Sequence, residues 1–182
     1  MFKCFYPGVR YESVYAIDFD KYYEMGYRGI LFDIDNTLVM HDAPADDKSV
    51  RLFAELKESG FKTCLISNND TPRTAPFAEA VGTEYVCNAG KPKASGFNEA
   101  MEKLGLSREQ TMMVGDQLFT DMWGANNAGV YAVLTEKIAR DPHFHIRLKR
   151  AGEAVVLFFY RFYENRHGGT RYLRGVSETG TA

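Results

Sequence analysis

Cysteine is scarce in this 182-residue chain, and the few present do not pair. Cys4, Cys64 and Cys87 are odd in number, far apart and without a C-x-x-C spacing. That argues against a disulfide framework and a zinc site, and it fits a reducing cytosol. Long apolar runs are lacking too. The longest, Ala154–Tyr160, falls far short of the roughly 20 residues a membrane-spanning helix needs. The N-terminus carries Lys3 and Arg10 but no uninterrupted apolar stretch, and Glu12, Asp18 and Asp20 follow. No signal peptide is therefore expected, and the expected location is cytoplasmic. The net charge is only −2, so nothing global points to nucleic acid as a partner. Internal repeats and low-complexity tracts are absent as well.

What is present is ordinary in bulk and uneven in detail. An apolar fraction of 45% and a charged fraction of 25% are those of a globular chain, and the length suits a single domain, 1–182, with a real core. The charge is segregated. From Lys137 to Ala182 nine Lys/Arg face four Asp/Glu, a net of +5, which leaves −7 on the rest. An acidic body with a basic C-terminal segment is the natural reading.

The hydrophobic pattern alternates between two periods. Gly29–Phe32, Phe61–Ile66, Glu84–Val86, Thr111–Val114 and Val130–Leu134 are short apolar runs that predict buried strands. Between them, Ser49–Ser59, Pro72–Val81, Ser95–Leu104 and Phe119–Ala128 carry helical spacing, with Gly60, Gly82, Gly105 and Gly129 placed to end them. Strand and helix alternating in this way predict an α/β fold, a three-layer Rossmann-like sandwich around a parallel sheet. In such sheets the active site lies beyond the C-terminal ends of the strands. The polar clusters Asp33–Thr37, Ser67–Asp70, Lys91 and Gly115–Asp121 all fall there or in the loops beyond.

Those clusters have the composition of a phosphate site. Asp33 and Asp35 flank Ile34 just after the first of these strands. Asp116 and Asp121 follow another strand in G-D-Q-L-F-T-D. Paired carboxylates repel, so four acids at neighbouring strand ends call for a hard cation, and Mg2+ with its preference for carboxylates, waters and phosphate oxygens fits. Each acid also has a plainer use, as a solvated loop residue or a helix cap. Ser67 offers a small hydroxyl and, with Asn68, backbone N–H groups that can hold phosphate oxygens. Lys91 offers a point positive charge.

Taken in order, D-I-D-N-T-L, a strand-end Ser, a Lys in G-K-P and G-D-x-x-x-x-D resemble the four motifs of the haloacid dehalogenase superfamily, over roughly residues 28 to 135. The resemblance implies that Asp33 is a nucleophile that becomes an aspartyl phosphate. It implies that Asp35 is the general acid and then the base, and that Ser67 and Asn68 hold the phosphate while Lys91 steadies it. Magnesium would be held by Asp33, the Asp35 backbone carbonyl and Asp116. Asp121 would bind the ion through water or orient Lys91. Dehalogenases of the superfamily dispense with the second acid, because halide leaves unprotonated. Asp35 therefore favours a phosphatase.

Many superfamily members insert a cap domain after the first motif or between the second and third. Asp33 to Ser67 leaves room for a flap and one helix–strand unit, and the 24 positions from Ser67 to Lys91 hold one helix and a short strand. Neither gap holds a cap. An open pocket suits a large substrate or a neighbouring subunit acting as lid, as in a homo-oligomer. The layout, with D-I-D-N-T-L-V, I-S-N-N and K-P-K, most resembles the capless YqeG-like group (subclass IIIA), related to phosphatases of phosphatidylglycerophosphate. The expected substrate is then a phospholipid. A phosphorylated protein or nucleic acid is the alternative, and a phospho-accepting or scaffold domain without turnover is a further one.

The segment of about 138–175 departs from that resemblance. Arg147, Lys149 and Arg150 precede A-V-V-L-F-F-Y, and Arg161, Arg166 and His167 follow. It reads either as a peripheral contact with an anionic membrane or as a final helix packing Val155, Leu157, Phe158 and Phe162 on the sheet. Phe2, Phe5 and Tyr6 carry the same two readings. His143 and His145 read as a polar loop, and His41 as a flap residue near substrate or a surface one.

Overall fold

Strand β2, Gly29–Phe32, is buried along its whole length and sits at the middle of the sheet. The computed structural model describes residues 3–139 together with Val156 and Tyr160. Six strands run in the order β1-β6-β5-β2-β3-β4, every neighbouring pair parallel. The others are β1 (Val9–Tyr11), β3 (Lys62–Ile66), β4 (Glu84–Val86), β5 (Thr111–Gly115) and β6 (Tyr131–Thr135). From β2 the chain steps outward to β3 and β4, then returns to lay β5 on the other flank of β2. Strand order thus reverses between β2 and β5, and a crevice opens there above the strand ends.

The α-helices named among the described residues are α1 (Phe19–Glu24), α2 (Asp47–Glu58), α3 (Thr71–Val81), α4 (Ala94–Leu104) and α5 (Trp123–Ala128), and they cover the sheet. The two-residue alternation of the strands makes two cores, one on each face. Ile30, Phe32, Leu65, Met112, Val114 and Val133 pack on one face with Leu52, Phe53 and Leu56 of α2 and Phe77 and Val81 of α3. Leu31, Cys64, Ile66, Met113 and Leu134 point the other way, to Phe97, Ala100 and Leu104 of α4 and Ala125 of α5. Such strands, buried on both faces, read as continuous apolar runs. Nothing but α3 joins β3 to β4, and no second domain is inserted among the described residues.

The expected strands are all present, and the helices differ at their starts. Helix α2 begins two residues before the expected Ser49. Asp46 is its cap and accepts from the Ser49 N–H, while the Ser49 hydroxyl accepts from the Asp46 N–H. Val50, expected on its apolar face, is exposed, and Ser49 is buried instead. The expected helix Phe119–Ala128 divides into a π-helical turn, Leu118–Met122, and α5. Strand β1 and helix α1 were not anticipated. A three-residue strand is too short to show a period, and its place beside β6 is a tertiary contact.

Among the described residues no helix is long and apolar enough to cross a membrane. Phe5 stacks edge-on against Phe119 and Trp123, at 5.2 and 5.1 Å between ring centroids, and Tyr6 against Tyr160 at 4.9 Å. These two N-terminal aromatics are packed on the second core. The basic apolar segment, His143, His145 and Phe2 lie outside the described residues. Within that segment only Val156 and Tyr160 are described, and both are buried.

Candidate active site

Asp33 continues β2 by one residue, its N–H donating to the Val114 carbonyl of β5 at 3.0 Å. Since Phe32 pairs with Val114, the next residues of the two strands, Asp33 and the Gly115-Asp116 pair, emerge side by side over the crevice. Sequence distance is bridged here by register alone. Asp33, Asp116 and Asp121 are all buried, and one carboxylate oxygen of each lies within 4.8 Å of the others.

Lys91 reaches into this cluster from the loop before α4, where its bond to Pro92 is cis. Its Nζ donates to Asp33 Oδ1 at 2.6 Å and to Asp121 Oδ1 at 2.7 Å, and the side chain is almost wholly buried. Burial alone would lower the pKa of this ammonium, but the charges and hydrogen bonds of Asp121 and Asp33 outweigh it and hold the group protonated. Burial, with Asp121 and Asp35 adding to it, pushes the Asp33 carboxyl above its usual range against the pull of Lys91. Three carboxylates thus meet one ammonium in a buried cluster. An excess of negative charge on hard oxygen donors suits a hard divalent cation.

Small residues make room for this arrangement. A Cβ on Gly115 would stand 2.5 Å from Asp121 Oδ2, the oxygen that accepts from the Gln117 N–H at 3.0 Å. The π-helical turn carries Asp121 as its fourth residue. Irregular turns of this kind recur where a helix must turn one side chain into a site. Asn36, at φ +65, bends the chain after Asp35, and Thr37 donates to Asp33 Oδ2 at 3.4 Å.

Ser67 ends β3 beside Asp33. It is buried, and its hydroxyl accepts from the Asn69 N–H at 3.1 Å. The Asn68 side chain does something the sequence did not suggest. It clamps the Lys91 backbone, accepting from its N–H at 2.7 Å and donating to its carbonyl at 3.1 Å. The amide therefore fixes the lysine from which the central ion pair is built.

Asp35 stands apart from the cluster. Arg73, at the start of α3, donates to its Oδ1 at 2.8 Å; the Asp42 N–H donates to the same oxygen at 3.0 Å, and Asn69 to Oδ2 at 2.6 Å. His41 Nδ1 lies 3.8 Å from Oδ2. Burial pulls this carboxyl upward, but Arg73 above all, then the Asp42 N–H and Asn69, outweigh it and hold the pKa below the ordinary range. Arg73 and Asn69 were missed at the level of sequence. One signal was available: a cation in the first turn of a helix opposes the macrodipole, so Arg73 sits where a purely structural helix would not favour it.

A cavity of about 600 Å³ lies elsewhere. It is lined by Gly8, Tyr27, Arg108 and Val130, which precede four strands, and by Tyr131, which begins β6. It therefore opens at the end of the sheet opposite these carboxylates.

A family model described as haloacid dehalogenase-like hydrolase matches residues 41–129, a stretch that includes Ser67, Lys91, Asp116 and Asp121 and begins after Asp35. The chain is 35% identical over 156 residues to the probable phosphatase YqeG of Bacillus subtilis, covering 85% of this chain and 91% of that protein. It is 30% identical over 171 residues to phosphatidylglycerophosphate phosphatase 1, chloroplastic/mitochondrial, of Arabidopsis thaliana, covering 83% of this chain and 47% of the plant protein, of which it spans about half the length. Among solved structures, a HAD phosphatase from Thermococcus onnurineus superposes with a TM-score of 0.52 at 15% identity, over 64% of this chain and 90% of that one. The cobalt-bound deoxy-D-mannose-octulosonate 8-phosphate phosphatase of Haemophilus influenzae gives 0.50 at 15% identity, over 60% and 68%. At such identities the structural matches speak to the fold.

Proposed function

The chain belongs to the haloacid dehalogenase-like hydrolases and is a phosphatase of that family, and from that premise we propose that it hydrolyses phosphate monoesters with magnesium, through a phosphorylated Asp33, on a phospholipid of the phosphatidylglycerophosphate type. The observation that carries the reading is the buried cluster in which Lys91 bridges Asp33 and Asp121.

In the first step an Asp33 oxygen attacks phosphorus in line. The bond to the leaving oxygen breaks, its electron pair stays on that oxygen, and a proton from Asp35 joins it. In the second step water attacks the aspartyl phosphate, gives its proton to Asp35, and releases phosphate and the Asp33 carboxylate. Lys91 holds Asp33 in place and offsets charge on the transferring group, while the Ser67 hydroxyl and the Asn68 N–H take its oxygens. Magnesium, when bound, would neutralise phosphate charge; the grouped Asp33, Asp116 and Asp121 would hold it, together with the Asp35 carbonyl. With Arg73 on its Oδ1, Asp35 is held as an anion, the form that the second step needs. The first step needs it protonated, which requires that contact to loosen.

Two things favour a lipid. One relative, over about half its length, is a phosphatidylglycerophosphate phosphatase. The crevice is also covered by no inserted domain, which suits a substrate presented at a surface rather than one enclosed. The test is phosphate release from p-nitrophenyl phosphate, phosphatidylglycerophosphate in mixed micelles, a phosphopeptide and a 5′-phosphorylated oligonucleotide, with magnesium and with EDTA. Release that needs magnesium and is fastest on the lipid is the expected result. Release that EDTA leaves unchanged would remove the metal from the mechanism, and a faster phosphopeptide or oligonucleotide would remove the lipid.

A further inference from the structure

Whatever leaves with the ester oxygen must lie against the group that protonates it. On the reading above that group is Asp35, so the residues that hold Asp35 lie nearest the leaving group. Two of them, Arg73 and Asp42, also line a groove of about 320 Å³ between α3 and the loop that leads into α2. The rest of its wall is Pro44, Ala45, Pro72, Pro76, Phe77 and Ala80, apolar throughout. A groove whose wall carries two residues that hold Asp35, and none bonded to Asp33, lies on the leaving-group side of the site.

Arg73 stands at its head. Its guanidinium lies 5.7 Å from the centroid of the Phe77 ring and makes one hydrogen bond among the described residues, to Asp35. Its Nε–H is buried there without an acceptor. A guanidinium has five donors in a planar fork suited to a phosphate, so one used and one buried without a partner is an under-used anion receptor. The other charged residue of the groove, Asp42, has a carboxylate that is 70% exposed, where solvent screens it.

We propose that this groove is the leaving-group subsite, with Arg73 binding a second anionic group close to the scissile ester and the proline-lined wall packing on the carbon skeleton next to that group. The occupant with that sequence of groups is an anionic phospholipid whose headgroup glycerol carries the scissile ester, followed by the phosphodiester and then the glycerol backbone. A groove at the small end of the range of ligand pockets, about 300–1,000 Å³, holds the diester and glycerol and leaves the acyl chains in the membrane. The proposal rests on the phospholipid reading and adds the residue that selects for it.

The experiment compares kcat/KM for a short-chain phosphatidylglycerophosphate, which carries the second anion, with that for glycerol 3-phosphate, an alkyl ester that does not, in wild type, Arg73→Ala and Arg73→Lys. Loss of Arg73 also frees Asp35, so both substrates are expected to slow. The subsite makes the lipid slow by a further about ten- to a hundredfold, mostly in KM, as the loss of a charge-assisted contact does. Arg73→Lys, which keeps the charge but not the fork, recovers part of that ratio. An equal fall on both substrates would overturn the subsite and leave the phospholipid reading standing, with Arg73 only a tether for Asp35. A wild type that shows no preference for the lipid, or prefers a phosphopeptide, would overturn both.

Discussion

Asp33 and Asp35 are two residues apart, carry the same side chain and occupy opposite environments. Asp33 is held by a buried lysine that it shares with Asp121, and burial pushes its carboxyl up. Asp35 lies at the crevice wall, held by a cation from a different helix, and its carboxyl is pulled down. Two positions separate a group fixed from below by the sheet from a group fixed from the side by α3. The lesson is that spacing in sequence sets which acids can meet, while their neighbours set what each can do. The Asp33 side is built from strand ends that cannot move without the sheet. The Asp35 side is built from loop residues and a long side chain.

Removing each acid in turn tests that comparison most severely. Asp33→Asn keeps the shape and the Thr37 contact but replaces the proposed nucleophile with a carboxamide. Phosphate release should fall by about 10⁴-fold or more with the circular dichroism spectrum unchanged; turnover that survives would mean that Asp33 is not attacked. Asp35→Asn should cost less, and unequally. Alkyl esters need a proton on the leaving oxygen more than aryl esters do, so the alkyl rate should drop about ten- to a hundredfold further. Equal slowing of the two would deny Asp35 the role of acid.

The smallest effect is on stability against pH. The folded pKa of Asp35 is lowered, so the Asp35–Arg73 pair contributes stability that is fully present above the ordinary carboxylate value, about 3.9, and is lost as pH falls through the lower folded value. In EDTA, urea denaturation should find wild type more stable than Asp35→Asn at about pH 7, the gap closing below about pH 4. A gap that persists undiminished in acid would show that shape, not charge, holds Arg73 in place.

Much of the fold was legible because its signals are local. The run G-I-L-F, the alternation of helical and strand periods, and Gly82, Gly105 and Gly129 closing three helices in the left-handed conformation all act within a few residues of themselves. The capping box at Asp46 and Ser49 was also there to be read, and it corrects the start of α2. The site was legible as a list. Asp33, Ser67, Lys91, Asp116 and Asp121 are brought to one crevice because each follows a strand end or a loop beyond one.

The sequence by itself therefore determined the alternating sheet, the crevice and the residue types gathered in it, because periodicity, strand ends and caps are properties of neighbouring residues. Only the tertiary structure decided the rest. Strand β1 takes its place from β6, far along the chain. Asn68 clamps the Lys91 backbone 23 positions away, and Arg73 crosses 38 positions to hold Asp35. Such pairs leave no period in a sequence. They exist because parallel strands are joined by long crossovers that bring distant loops to the same edge, and because a buried charge must find its partner wherever the fold has put one.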